Sequence, residues 1–195
     1  SVIATAGANT ILTGGGDDII TLGSGVDTLT LGAGNDVVNI TTTAIAAGTS
    51  SIITDFTTTA DMLKLDLSDF GAFADLSDGG TAVAAVNLPF TTITGAYDLA
   101  NATADSVLIL NLAANLASTD AVETALEFGG ALQLTLAGAY SPGDKFLVAY
   151  DNGVDSFVAS IAVRQNALDD GFFGAGSLTA TNLVQLTGIA SVATL

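Results

Sequence analysis

Gly14 to Ile40 reads GGGDDIITL, GSGVDTLTL, GAGNDVVNI: three nine-residue units laid end to end. Each carries glycine at its first and third places, Asp18, Asp27 or Asp36 at its fifth, and an aliphatic residue at its seventh and ninth. A glycine and aspartate period held in strict phase marks a repeating architecture. A β-meander with Gly- and Asp-rich turns has no reason to keep such a phase.

Every unit divides into a turn half and a strand half. Ile19 to Leu22, Thr28 to Leu31 and Val37 to Ile40 are short, rich in β-branched residues, and alternate as a half-buried strand must. Ile20, Leu22, Leu29, Leu31, Val38 and Ile40 share one parity and are expected to line a common core. Two units per coil would set Asp18 over Asp36 and leave Asp27 on the opposite side. Upstream, Gly7-Ala8-Asn9-Thr10-Ile11 keeps the spacing with Asn9 in the aspartate's place, so Asn9 should lie over Asp27 and offer a neutral amide oxygen. That side, with one carboxylate fewer, should bind a cation more weakly.

The chemistry of the turns points to calcium. Glycines permit positive φ and leave backbone carbonyls uncovered. A hard cation that takes six to eight oxygens is served by carboxylates and carbonyls alike. Without a cation, Asp18 would face Asp36 as a like charge, and calcium would then act as a folding switch.

The stretch TGGGDDIITLGSGVDTLTLGAGND, from Thr13 to Asp36, resembles the RTX repeats, whose consensus is G-G-x-G-x-D-x-U-x with U a large apolar residue. Gly14, Gly15, Gly16, Asp18 and Ile20 match. So do Gly23, Gly25, Asp27 and Leu29, then Gly32, Gly34, Asp36 and Val38, with Ser24 and Ala33 as departures. The resemblance implies calcium held by the aspartates and by carbonyls of the glycine-rich turns. The expected metal set is Gly14, Gly16, Asp18, Gly23, Gly25, Asp27, Gly32, Gly34 and Asp36. Asn9, Asp17 and Asn35 of the same turns belong to it, together with Asp55 and Asp61.

Those last two lie in Ile52-Ile53-Thr54-Asp55-Phe56 and Asp61-Met62-Leu63-Lys64-Leu65, similar to the segment that follows the repeats in RTX proteins. Two strands are expected here, one ending near Asp55 and one over about Met62 to Leu67, closing the lower end of the stack. Asp55 and Asp61 are either a further calcium site or turn-capping aspartates.

Residues 70–95 read as loops with short strands. Val107 to Leu112 is an apolar run fit for a buried strand, and Ser118 to Glu127 changes to a helical period with a Ser118 or Thr119 cap and a Gly129-Gly130 stop. Leu132 to Leu136 alternates again. Lys145 to Tyr150 and Ser156 to Val163 flank Asp151-Asn152-Gly153-Val154-Asp155, a hairpin signal. This last third resembles the C-terminal region of RTX surface-layer and type I secreted proteins, and the apolar ending Ala190 to Leu195 suits an uncleaved export signal.

Composition sets the outer bounds. Net charge is −17 with only Lys64, Lys145 and Arg164 basic, which disfavours nucleic acid and anionic membrane surfaces. The absence of Cys and His excludes disulfides, thiolate sites and His-based triads. No stretch is apolar enough to span a bilayer as a helix, and Ser1-Val2-Ile3-Ala4 lacks the basic start of a secretory signal.

The expectation is a mainly all-β protein: a parallel β-roll over residues 1–70, then a β-rich region with one short helix over 71–195. Its function is expected to be that of a non-enzymatic calcium-binding module at the C-terminal end of a secreted, surface-layer-like protein. It would be exported without a cleaved N-terminal signal by a type I apparatus and self-associate outside the cell, with a cell-surface polysaccharide as a further partner. The alternative is the accessory C-terminal domain of a secreted protease or lipase. A third reading, hydrolysis by Asp66 with Asp69 or Glu123 with Glu127, competes with a solvated helix face.

Overall fold

The structure is a computed structural model and describes residues 1–41, 50–65, 90–101, 107–112, 115–136, 140–164 and 171–194. The expected loop over 70–89 and the pair Asp66 and Asp69 lie outside the described residues.

The repeats fold into short strands that alternate between two sheets. β1 (Val2–Ile3), β3 (Ile19–Thr21), β5 (Val37–Ile40) and β7 (Met62–Leu65) pair in that order, all parallel. β2 (Thr10–Leu12), β4 (Thr28–Thr30) and β6 (Ser51–Ile53) pair on the other side, also parallel. One circuit of the chain therefore consumes two nonapeptides: Ile20 lies beside Val38, and Ile11 beside Leu29. Strand parity does the rest. Ile20, Leu22, Leu29, Leu31, Val38 and Ile40 are all buried between the sheets, while their neighbours of opposite parity, such as Ile19 and Leu12, stay exposed.

After the third unit the step lengthens, and Thr28 meets Ile52 while Val37 meets Met62. The stack is not closed there. β14 (Leu178–Leu186) adds to the outer edge of β6 in parallel, Leu186 beside Ile53. β13 (Ser156–Val163) and β12 (Lys145–Asp151) follow antiparallel, then β10 (Val107–Leu110) and β8 (Phe90–Ile93) parallel, making one eight-stranded mixed sheet. A self-contained parallel roll was expected; one face of the coil instead continues into the C-terminal strands. The expected strand at Leu132 to Leu136 shortens to β11 (Leu134–Thr135), parallel to β9 (Tyr97–Asp98).

Among the described residues two apolar cores result. One lies inside the coil and runs on beneath Val107, Ile109, Leu147, Ala149 and Leu183. The other packs Leu108, Phe146, Val148 and Tyr150 against the helix α1 (Thr119–Leu126) through Val122, Ala125 and Leu126. Strands buried on both faces need apolar residues of both parities, which explains the unbroken Val107 to Leu110 run. Ser118 caps α1, its Oγ accepting from the Ala121 N–H at 3.2 Å.

Candidate metal centre

The turns stack in two columns, one on each side of the coil. On one side, turn 14–18 lies against turn 32–36: the Ala33 N–H donates to the Gly14 carbonyl at 2.9 Å and the Gly16 N–H to the Ala33 carbonyl at 2.7 Å. On the other, the Gly7 N–H donates to the Ser24 carbonyl at 2.8 Å. The spacing is too close for side chains. A Cβ on Gly32 (φ +91°) would land on the Gly14 oxygen, and one on Gly34 (φ +149°) on the Gly16 oxygen. Gly23 and Gly25 sit in the same way against Ala4 and Gly7. Gly25, Gly32 and Gly34 are thus required for both backbone conformation and contact, and Gly23 for contact.

The residue just before each strand forms a polar column. On the first side it is Asp18, Asp36, Asp61. The Asp18 N–H donates to Asp36 Oδ1 at 2.8 Å, and the Asp36 N–H to Asp61 Oδ1 at 3.0 Å. On the second side it is Asn9, Asp27, Ser51 (which opens its strand). The Asn9 N–H donates to Asp27 Oδ1 at 3.0 Å, and the Asp27 N–H to Ser51 Oγ at 3.2 Å. The stacking of Asp18 with Asp36 and of Asn9 with Asp27 follows from the two-unit circuit.

Asn9 departs from its expected role. It turns its nitrogen, not its oxygen, toward Asp27, because the carbonyls around it are acceptors. Ser51 was missed by sequence reading. Its place immediately before Ile52, as Asp27 stands before Thr28, was the available signal.

Asp27 and Asp36 are the electrostatic centre of the arrangement. Both are fully buried, and in each the second carboxylate oxygen, Oδ2, has no hydrogen-bond partner. Taking an ionised carboxylate out of water costs on the order of several kcal/mol unless an opposite charge compensates it. Neither Lys64, Lys145 nor Arg164 forms an ion pair with them among the described residues. Orphaned, buried carboxylate oxygens in glycine-rich turns fit a hard divalent cation well. Among the described residues no three carboxylates cluster tightly enough to hold a metal by themselves. A bound ion would therefore draw on backbone oxygens, as calcium readily does.

The remaining expected ligands are placed as follows. Asp17 Oδ1 accepts from the Asn35 N–H at 2.8 Å and from its amide at 3.3 Å, on the outside of the column. Asp55 accepts from the Leu31 N–H at 2.7 Å and the Gly32 N–H at 2.8 Å. Asp61 Oδ2 accepts from the Thr57 N–H at 2.8 Å. Through the Gly32 and Asp36 amides, Asp55 and Asp61 thus hold the two ends of turn 32–36. Glu123 and Glu127 are likewise engaged: Glu123 accepts from the Ala180 N–H at 2.7 Å, and Glu127 from those of Gly176 at 3.0 Å and Leu178 at 3.1 Å.

No curated protein and no solved structure gives a significant match to the chain. The periodic glycines, the stacked turns and the first two members of each column fall in one segment, and that segment is recognised: residues 3–38 match the RTX calcium-binding nonapeptide repeat, in four copies.

Proposed function

We propose that this chain is a non-enzymatic calcium-binding module of a secreted cell-surface protein, whose repeats form a β-roll that closes around calcium outside the cell. The observation that carries the reading is the pair of fully buried carboxylates, Asp27 and Asp36, each with an unpartnered oxygen in a glycine-lined turn. Asp18 and Asp36, with the carbonyls of Gly14, Gly16, Gly32 and Gly34, would hold an ion on one side of the coil, and Asp27 would serve the other side. Calcium supplies positive charge where the fold concentrates negative charge. The chain's own residues set the spacing of the turns, exclude water from the two aspartates and keep their second oxygens free. Because the whole chain carries −17, the same neutralisation relieves general self-repulsion.

A surface-layer role, calcium-dependent self-association and an export signal at the C-terminus are the finer parts of this reading. They are supported by the Ala-, Thr- and Gly-rich, Lys-poor composition and by the apolar tail. Extracellular modules bind calcium at roughly 10⁻⁴–10⁻³ M, which would keep the coil open in the cytosol and closed outside.

The test is a pair of thermal melts followed by circular dichroism, one with chelator and one with millimolar calcium. At millimolar calcium a site of that affinity is loaded to about 1–10 times its Kd and adds about 0.4–1.4 kcal/mol per ion, enough to shift the melting curve upward. Coincident curves would reject the calcium reading. Electron microscopy under the same two conditions addresses assembly, with ordered sheets expected only when calcium is present.

A further inference from the structure

The two first gaps of the columns share one backbone bond but have opposite side-chain chemistry. Asn9 donates its N–H to Asp27 Oδ1 just as Asp18 donates its N–H to Asp36 Oδ1. At Asn9, however, the side-chain nitrogen sits amid three oxygens: the Gly7 carbonyl at 2.8 Å, Asp27 Oδ1 at 2.9 Å and the Thr5 carbonyl at 3.3 Å. An amide NH₂ has two hydrogens, so acceptors outnumber donors at that point. Asp18 has no proton to offer in the corresponding position, and its carboxylate stands 3.8 Å from the Ser1 ammonium.

Resting on the calcium reading above, we infer that the Asn9 amide is an internal plug. Its nitrogen occupies the oxygen cage between turns 5–9 and 23–27 and takes the place of a cation there. The gap between Asp18 and Asp36, which has no such donor, is then the one that depends on calcium. The first pair of turns on the Asn9 side stays tied together in calcium-free protein. Calcium completes the opposite column, so the coil has one metal-independent seam and one metal-dependent seam. Asp27 Oδ1 is taken by the Asn9 amide, so a cation at Asp27 has only the second, unpartnered oxygen to draw on.

Isothermal titration of the full chain with calcium chloride, alongside thermal melts with and without chelator, tests the plug. Asn9→Asp is expected to bind one more ion than wild type, to melt lower than wild type in chelator, and to recover or exceed it in millimolar calcium. Asp18→Asn, which builds a second plug, is expected to bind one ion fewer and to melt no lower in chelator. Asn9→Ala removes the donor without adding charge. It should lower the chelated melting temperature with the ion count unchanged, and it serves if Asn9→Asp does not fold. Calcium uptake by wild type with an unaltered count and unaltered chelated melting in both Asn9 variants would overturn the plug alone. No calcium heat in wild type or in Asn9→Asp would overturn the calcium reading itself.

Discussion

Replacing Gly32 with alanine probes whether the turns bear on one another as closely as the fold requires. Two costs add at this site. Gly32 has a φ of +91°, where a Cβ costs about 1–2 kcal/mol. The new methyl would also land on the carbonyl oxygen of Gly14, forcing turn 32–36 away from turn 14–18. That movement loosens the Ala33 to Gly14 and Gly16 to Ala33 hydrogen bonds, together worth about 1–3 kcal/mol. The combined loss is about 2–5 kcal/mol. Gly143 supplies the control, because its φ is +100° and a Cβ there meets nothing within 4 Å. Gly143→Ala should therefore show the conformational cost alone, about 1–2 kcal/mol. Urea denaturation with matched m-values reads the difference directly as a shift in midpoint. Equal midpoints for the two variants would refute the stacked-turn argument, since nothing but the neighbouring turn distinguishes the sites.

Glu127→Ala leaves the Gly176 and Leu178 amides without their carboxylate and should destabilise the chain by about 3 kcal/mol, with Glu127→Gln intermediate, as judged by urea midpoints. Burial pushes the Tyr150 hydroxyl above its usual pKa of 10.0, and the bond it donates to Asn182 Oδ1 at 2.9 Å also favours the neutral form. Its neutral form is thus favoured by folding: the contribution is whole below about pH 10 and is lost as pH rises through the higher folded value. Tyr150→Phe should cost about 1 kcal/mol at neutral pH and flatten the alkaline fall in melting temperature; a fall as steep as in wild type would contradict the assignment.

The candidate site was largely legible because its determinants are local and repeated. Any residue two units on lies one rung away, so Asp18 over Asp36 and Asn9 over Asp27 could be read from spacing alone. Legibility failed where the period broke. Ser51 was missed, and Asp61, though named among the expected ligands, could not be assigned to its column, because they join through circuits of 24 and 25 residues that no strict phase marks in advance. The Asn9 amide could not be oriented either, because the choice between nitrogen and oxygen depends on the acceptors the folded turns gather around it. Glu123 and Glu127 looked like a pair on one helix face. Their true partners are backbone amides of residues 176–180, roughly fifty positions later, which no helical spacing reveals.

Strand length, parity, the buried aliphatic row and the phase of the aspartates are all written into the nonapeptide period, since each follows from chain geometry over a few residues. How the coil ends is not written there. β14 pairs with β6 across a long stretch of intervening chain, turning one face of the coil into part of a mixed sheet. An edge strand offers the same unpaired N–H and C=O groups to any partner, so its neighbour is selected by which apolar faces can be buried together, and that is a property of the whole molecule.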